Sequence, residues 1–343
     1  MNRITIGLFC FLSLVGALSA ATPGTPAPAP GDAPASWENT QVITEGIISA
    51  PCSEVWRIFS TAEGFKSLGV AQAKMDFRVG GLILSSYDPK ATLGDKSTIQ
   101  TEIVAYEPGR LLVTRIQHPP KGFPFTNAFK HVWSVISLAD LGDNRTQLRI
   151  SMNGYGPDEE SQKMRAFFTT GNDWVLKKLQ AKYGDAPAPT GPAHAESPLG
   201  AIELTRVVPG AREDVWKALA TAAGWKAFFG ADSRIGVLPG ESFEPFQGTE
   251  GCRLLTVVPN EVLSFTWNAP PKFPFAREHP TWVIVQLDEL SPGTTRVRLR
   301  HLGFAEQAAA HADHAREFEE ARAYFTSAWP KVLTSLAAHF GRS

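Results

Sequence analysis

Only three of the 343 residues are cysteine, which excludes a small scaffold held together by disulfides. The formal net charge is −1, so no basic field indicates binding to nucleic acid. No nucleophile elbow, zinc-protease motif, Walker loop or dinucleotide-binding glycine motif occurs. With 43% hydrophobic and 20% charged residues, the composition is that of an ordinary globular protein. The chain therefore carries no strong catalytic signature.

The first 21 residues have the order of a secretory signal peptide. Arg3 supplies a positive charge, residues 4–15 are almost wholly apolar, and mostly small residues follow to Ala21. Cleavage is expected after Ala20 or Ala21. The apolar segment is too short for a comfortable membrane span, although an uncleaved anchor is the alternative. We therefore predict an exported protein, periplasmic or secreted.

Two segments rich in proline and alanine divide the remaining chain. Residues 22–36 and 185–198 have the composition of linkers without a core. They separate two blocks of nearly equal length, residues 37–184 and residues 199–343, each within the usual range of domain sizes. Two domains are therefore predicted with these boundaries.

The two blocks repeat the same sequence features in the same order. The unusual phrase PPKGFPF at 119–125 returns as PPKFPF at 270–275. Likewise EVW at 54–56 returns as DVW at 214–216, and Trp174 is matched with Trp329. A set of matches whose order never breaks indicates a duplicated domain.

Each repeat has the pattern of a sheet followed by a long helix. An opening strand is predicted at 41–48 and again at 201–208, followed by short helices and about six more strands. Long helices are predicted at 160–183 and 315–339. Because consecutive strands are joined by tight turns, the sheets are expected to be antiparallel. The predicted class is α+β, with each curved sheet wrapped on a long C-terminal helix.

Three short segments resemble a known family. TRVRLRHLGF at 295–304, VWKAL at 215–219 and GNDWVLKKL at 171–179 are similar to the activator of heat-shock-protein ATPase homologues. That family belongs to the helix-grip (SRPBCC) superfamily, which also holds the START lipid-transfer domains and the birch-pollen allergen. The resemblance covers both repeats and implies a cavity between the sheet and the long helix. It does not imply one activity.

Side chains expected near these cavities are the candidate ligand-binding residues. They are Trp133, Met152, Phe168 and Trp174 in the first repeat, and Phe265, Trp267, Trp282, His301, Phe325 and Trp329 in the second. Core packing is the alternative for the tryptophans. His301 alternates in phase with Val297 and Leu299 and is expected to point inward, where the first repeat has Met152. The second cavity is therefore expected to be the polar, pH-responsive one, unless a neighbour already satisfies the histidine.

Three further features leave alternatives open. The Phe-Pro-Phe loops could act as exposed lids beside the cavities or fold back as plugs. His311 and His314 have the spacing of a metal pair, but their charged, alanine-rich surroundings argue for a solvated connection, so no metal site is predicted. Cys52 and Cys252 are expected to be two separate buried thiols rather than a disulfide.

These observations predict an exported, non-enzymatic binding protein for an apolar small molecule or lipid. The alternatives are a cyclase-like or hydrolytic enzyme of the same superfamily, and a protein-interaction module that acts like a chaperone cofactor. No cofactor and no nucleic-acid partner are expected. The protein-interaction alternative implies a protein partner. The chain is expected to be a monomer.

Overall fold

The computed structural model describes residues 41–184 and 200–341, which we call the first and the second domain. The predicted signal peptide and both predicted linkers lie outside the described residues. None of the helices in these two ranges combines the length and the apolar character that a membrane span needs.

The first domain contains one antiparallel sheet of seven strands. Its strands are β1 (Gln41–Ile48), β2 (Gln72–Met75), β3 (Leu82–Ser86), β4 (Ile99–Glu107), β5 (Leu111–His118), β6 (Trp133–Asp140) and β7 (Thr146–Asn153), and its α-helices are α1 (Cys52–Ser60), α2 (Ala62–Ser67) and α3 (Glu159–Tyr183). The strand order is β1-β7-β6-β5-β4-β3-β2, so the first strand pairs with the last.

The second domain repeats this plan with a smaller main sheet. Its strands are β8 (Ile202–Val208), β9 (Arg234–Ile235), β10 (Phe243–Glu244), β11 (Leu254–Val258), β12 (Val262–Trp267), β13 (Thr281–Ser291) and β14 (Thr294–Leu302), and its α-helices are α4 (Arg212–Ala220), α5 (Ala222–Phe229), α6 (Pro274–Glu278), α7 (Phe304–Ala310) and α8 (Ala315–Phe340). The order β11-β12-β13-β14-β8 again pairs the first strand with the last, and β9 and β10 form a separate ribbon. The predicted α+β class is confirmed.

Each long helix begins where the sequence predicts and lies along the first strand of its domain. Asp158 caps α3 by accepting a hydrogen bond from the Ser161 amide at 2.9 Å, which satisfies an otherwise unpaired N–H. On β1, Thr44 donates to the Asp173 carboxylate of α3 at 3.2 Å. Two residues further on, a Cβ added to Gly46 would lie 2.9 Å from the Leu176 methyl groups, so glycine lets α3 pack close to β1 without moving that side chain. The sheet face containing Thr44 therefore faces α3.

The two sheet faces that point away from the long helices meet each other. In the first sheet Trp133, Val135 and Val113 share the face opposite to that of Thr44, yet each is at most 2% exposed. In the second sheet Trp282 lies on the corresponding face, and its indole Nε1 donates to the Tyr106 carbonyl of the first domain at 3.1 Å. The domains are thus packed back to back, with the helices outside.

A buried ion pair crosses this interface. The Glu107 carboxylate is 2.8 Å from Nε of Arg300 and 3.6 Å from Nη1 of Arg110, and the Glu107 and Arg300 side chains are only 1% and 6% exposed. Burial raises the pKa of Glu107 to about 7, and the attraction of Arg300 and Arg110 offsets part of that rise. Glu107 is thus a desolvated carboxyl that depends on a cation of the other domain.

Candidate functional site

Cross-strand pairing defines one row of side chains on the helix-facing side of the first sheet. The row reads Val42, Met152, Ser134, Thr114 and Ile103 across β1, β7, β6, β5 and β4. The two ends of the row are buried, but Ser134 and Thr114 in its middle remain partly exposed. Small side chains at the centre of a sheet that faces a helix leave space between the two.

The equivalent row of the second sheet has large side chains at the same places. It reads Ile202, His301, Val283, Phe265 and Leu254 across β8, β14, β13, β12 and β11. Every member is at most 4% exposed. Phe265 stands where the first domain has Thr114, and Val283 stands where it has Ser134. The two copies therefore differ in how much of their interior is filled.

Aromatic rings fill the interior of the second domain. The Phe243 and Phe265 rings are stacked with centroids 3.9 Å apart, and those of Trp267 and Trp329 are 4.8 Å apart. The cavity beside them has a volume of about 10 Å³. That is room for one water molecule at most, whereas small-molecule sites occupy roughly 300–1,000 Å³. The expected ligand cavity of the second domain is therefore closed.

His301 is fully buried and bonded at both ring nitrogens. Nδ1 accepts from the Trp329 indole N–H at 3.0 Å, so Nε2 carries the proton and donates to Thr281 Oγ1 at 2.7 Å. Burial holds the pKa of His301 well below that of a free histidine. The second cavity was expected to be the polar one, and this is wrong, because His301 is a neutral core residue whose neighbours satisfy it.

The first domain has small, partly exposed side chains where the second has larger, buried ones. Its helix-facing apolar side chains form two separate clusters, one around Met152 and Met164 and one around Ile150 and Leu179. We call the region between these clusters the first-domain groove. The register places Thr114, Ile116 and Ser134 on its sheet side, and the helix stripe places Phe168 and Asn172 on its α3 side. All of these except Asn172 are partly exposed.

Burial along the two long helices shows which of their residues correspond. The four buried residues of α3 are Ser161, Met164, Asn172 and Leu179, and residues 157 positions later in α8 are Phe318, Ala321, Trp329 and Leu336, all buried as well. Asn172 therefore takes the place of Trp329. The sequence match of Trp174 with Trp329 is wrong by two residues, because the helix faces and not the letters determine which side chain points inward.

Three of the predicted ligand-binding residues lie elsewhere. Trp133 and Trp282 occupy the faces that form the domain interface, so the expectation that they line cavities is wrong. Trp174 packs near Gly69, and the Lys178 ammonium lies 4.6 Å from its ring. Strand register explains the first two, since each tryptophan directly precedes the residue of its strand that belongs to the helix-facing row, Ser134 or Val283, and so points to the other face.

The other predicted residues lie inside the two domains. Phe265, Trp267, His301, Phe325 and Trp329 form the closed core of the second domain. Met152 and Phe168 lie in or beside the cluster at one end of the first-domain groove. An alignment of the two repeats could have identified Thr114 and Ser134, because the second repeat has the larger apolar residues Phe265 and Val283 at these positions.

Both Phe-Pro-Phe loops fold back onto the long helices. Phe125 and Phe273 are 8% and 7% exposed. In each domain a backbone N–H of the loop region donates to a glutamate in the first turn of the long helix. These bonds are Asn127 N to Glu160 Oε1 and Ala276 N to Glu317 Oε1, both 2.9 Å. The geometry favours plugs over lids.

The remaining candidates do not form a reactive site. His311 and His314 pack around the Phe275 ring, with centroids 5.1 and 3.6 Å away. Within residues 41–184 and 200–341, no group of three or more His, Cys, Asp or Glu side chains is placed to hold a metal ion. Cys52 and Cys252 are both buried and free, as predicted.

Each domain is thus a helix-grip domain of the SRPBCC type, in which an antiparallel sheet is closed by a long C-terminal helix. The family model described as Activator of Hsp90 ATPase homolog 1-like protein matches residues 49–183 and 210–341. The chain belongs to that family. Its fold suits ligand binding or a role like that of a chaperone cofactor.

Several solved structures are similar to this chain. The di-domain ARO/CYC BexL from the BE-7585A biosynthetic pathway is 12% identical, with a TM-score of 0.33 over 88% of this chain and 98% of BexL. DynU16 from the dynemicin biosynthetic locus is 15% identical, with a TM-score of 0.32 over 87% and 98%. An HSP90 activator from Plasmodium falciparum is 16% identical, with a TM-score of 0.32 over 42% and 96%. Comparison with curated proteins finds no match.

Proposed function

We propose that this protein is an exported, non-enzymatic binding protein for an apolar small molecule or lipid, and that the ligand occupies the first-domain groove. One observation carries the proposal. The row that is filled by Val283 and Phe265 in the second domain contains the smaller, partly exposed Ser134 and Thr114 in the first. The second domain is then a closed partner that supports the back of the first sheet.

The groove favours an apolar ligand with few polar groups. Ile116 and Phe168 contribute apolar surface, while Thr114 and Ser134 contribute hydroxyls. Sites of this kind gain affinity from apolar contact and orientation from a few hydrogen bonds. The enzymatic alternative gains no support here, because none of the groove side chains named above titrates near neutral pH.

Filling the groove tests the proposal. The double variant T114F/S134V gives the first domain approximations of the side chains that close the second. We expect the neutral fluorescent probe N-phenyl-1-naphthylamine to bind the wild-type protein. It should bind this variant at least roughly tenfold more weakly, because the added atoms overlap the ligand. Fluorescence titration measures both affinities.

The control is V207F, which adds a ring at a side chain that is 52% exposed on β8. Its affinity for the probe should equal that of the wild type. Circular dichroism and thermal melts verify that T114F/S134V is folded, and S134V alone should give a smaller loss. Wild-type affinity in a folded T114F/S134V protein would place the ligand outside the groove and overturn the proposal.

A further inference from the structure

The groove region contains a buried hydrogen-bond donor that has no acceptor in the described part of the chain. Asn172 is 9% exposed, and its Nδ2 is enclosed with no hydrogen-bond partner among residues 41–184 and 200–341. Asn172 lies four residues after Phe168 and eight after Met164, on the stripe of α3 that faces the sheet. A buried amide N–H that loses its water without gaining a partner lowers stability, so such groups are rare in folded proteins.

The second domain shows what that donor is missing. At the position of Asn172 it has Trp329, whose indole N–H donates to His301 Nδ1 at 3.0 Å. The first domain has Met152 in place of His301. A thioether is a weak acceptor, and the Met152 sulfur already accepts from the Tyr155 hydroxyl at 3.7 Å. The first domain therefore keeps a donor at this place but has lost the imidazole acceptor.

The substitution also changes the space around the donor. An amide replaces an indole on the helix, and Thr114 replaces Phe265 on the sheet opposite. These changes remove the large rings that close the second domain. The same side chains thus leave room for a ligand beside an amide N–H that has no acceptor among the described residues.

We propose that Asn172 Nδ2 donates to a neutral oxygen acceptor of the ligand, which is therefore an apolar molecule that carries a carbonyl-type oxygen at its buried end. This inference rests on the proposed function and specifies the class of its ligand. A carboxylate fits less well, because none of the groove residues named above is a cation that could balance a buried negative charge.

Two matched competitors test the inference. Tetralin and 1-tetralone share one ring skeleton, and only 1-tetralone has a carbonyl oxygen. Each is titrated against the full-length protein loaded with N-phenyl-1-naphthylamine, and displacement gives its affinity. We expect 1-tetralone to bind about fivefold more tightly than tetralin to the wild type, as one net hydrogen bond allows. N172L should abolish this preference, so that 1-tetralone and tetralin bind the variant equally well.

The outcomes separate the two proposals. If T114F/S134V weakens probe binding but N172L still prefers 1-tetralone, the role of Asn172 is overturned and the groove proposal stands. Probe binding that T114F/S134V leaves intact overturns the groove itself. Thermal melts of the ligand-free proteins add a second readout. N172L should melt at a higher temperature than the wild type, and a lower melting temperature would mean that the amide is already paired.

Discussion

Replacing Arg300 by methionine is expected to lower the free energy of unfolding at pH 9, where Glu107 is ionised, by about 2–3 kcal/mol. The change leaves the Glu107 carboxyl, 1% exposed, without the guanidinium that lies 2.8 Å away. Methionine keeps much of the apolar length of the side chain, so the loss reports mainly on the missing charge. Urea denaturation of the full chain measures it. A loss below about 1 kcal/mol, as for an exposed pair, would contradict a buried interface.

The matched control is the double variant E107Q/R300M. Removing the carboxylate together with its cation should recover most of the stability, because the cost lies in the unpaired charge. The double-mutant cycle isolates the coupling between the two residues. Equal destabilisation by R300M in the wild-type and E107Q backgrounds would mean that the two side chains do not interact.

The pH dependence of this pair has a definite sign. Burial raises the pKa of Glu107 to about 7, although Arg300, Arg110 and Arg298 favour its charged form; Glu203 adds to the rise. A carboxyl whose folded pKa is raised contributes stability that is full below its unfolded pKa, near 4.5, and is lost as pH rises through about 7. The destabilisation by R300M should accordingly shrink toward pH 5, where Glu107 is protonated.

Replacing His301 by methionine, the residue of the first domain at this position, is expected to cost about 2–4 kcal/mol at pH 7. The substitution removes the acceptor of the Trp329 N–H and the donor to the Thr281 hydroxyl, both in a closed core. Because His301, Thr281 and Trp329 are at most 5% exposed, solvent does not reach these groups to take over both bonds. Denaturation of wild type and variant side by side measures the difference.

The contribution of His301 to the free energy of unfolding depends on pH in the opposite direction to that of Glu107. The pKa of His301 is held low by burial, so its neutral form contributes stability that is full above the unfolded pKa near 6.5 and falls as pH decreases toward the folded pKa. The gap between wild type and H301M should therefore narrow by roughly 2 kcal/mol between pH 7 and pH 5. A gap independent of pH would mean that the imidazole is not desolvated. W329F, which removes the donor, should be less than additive with H301M.

Alternation along β4 shows why the interface could not be predicted from the sequence. Strict alternation puts Ile99, Thr101, Ile103 and Ala105 on one face, and Glu107 would follow them into the helix-facing interior. The structure inserts Val104 as an extra residue between Ile103 and Ala105, so that Ala105 and Glu107 pair with Val113 and Leu111 on the opposite face. A one-residue bulge thus moves a carboxyl from the ligand side to the domain interface.

The repeat, the α+β class, the opening strands and the long closing helices follow from the sequence alone. Hydrophobic period, helix caps and turn residues are local signals, and each copy of the domain repeats them in the same order. The sequence also contained the contrast between Phe265 and Thr114, although its meaning depended on knowing which face of the strand was inward.

Only the tertiary structure decided which copy is open. Three long-range features decide it. The strand register puts Trp133 and Trp282 at the interface, and the helix phase puts Asn172 in the place of Trp329. The hydrogen bond from Trp329 satisfies the acceptor nitrogen of His301. Such facts depend on contacts between residues far apart in the chain, and no local pattern specifies them. The residue that looked most reactive in the sequence is therefore a satisfied core residue, and the unpaired donor lies in the other domain.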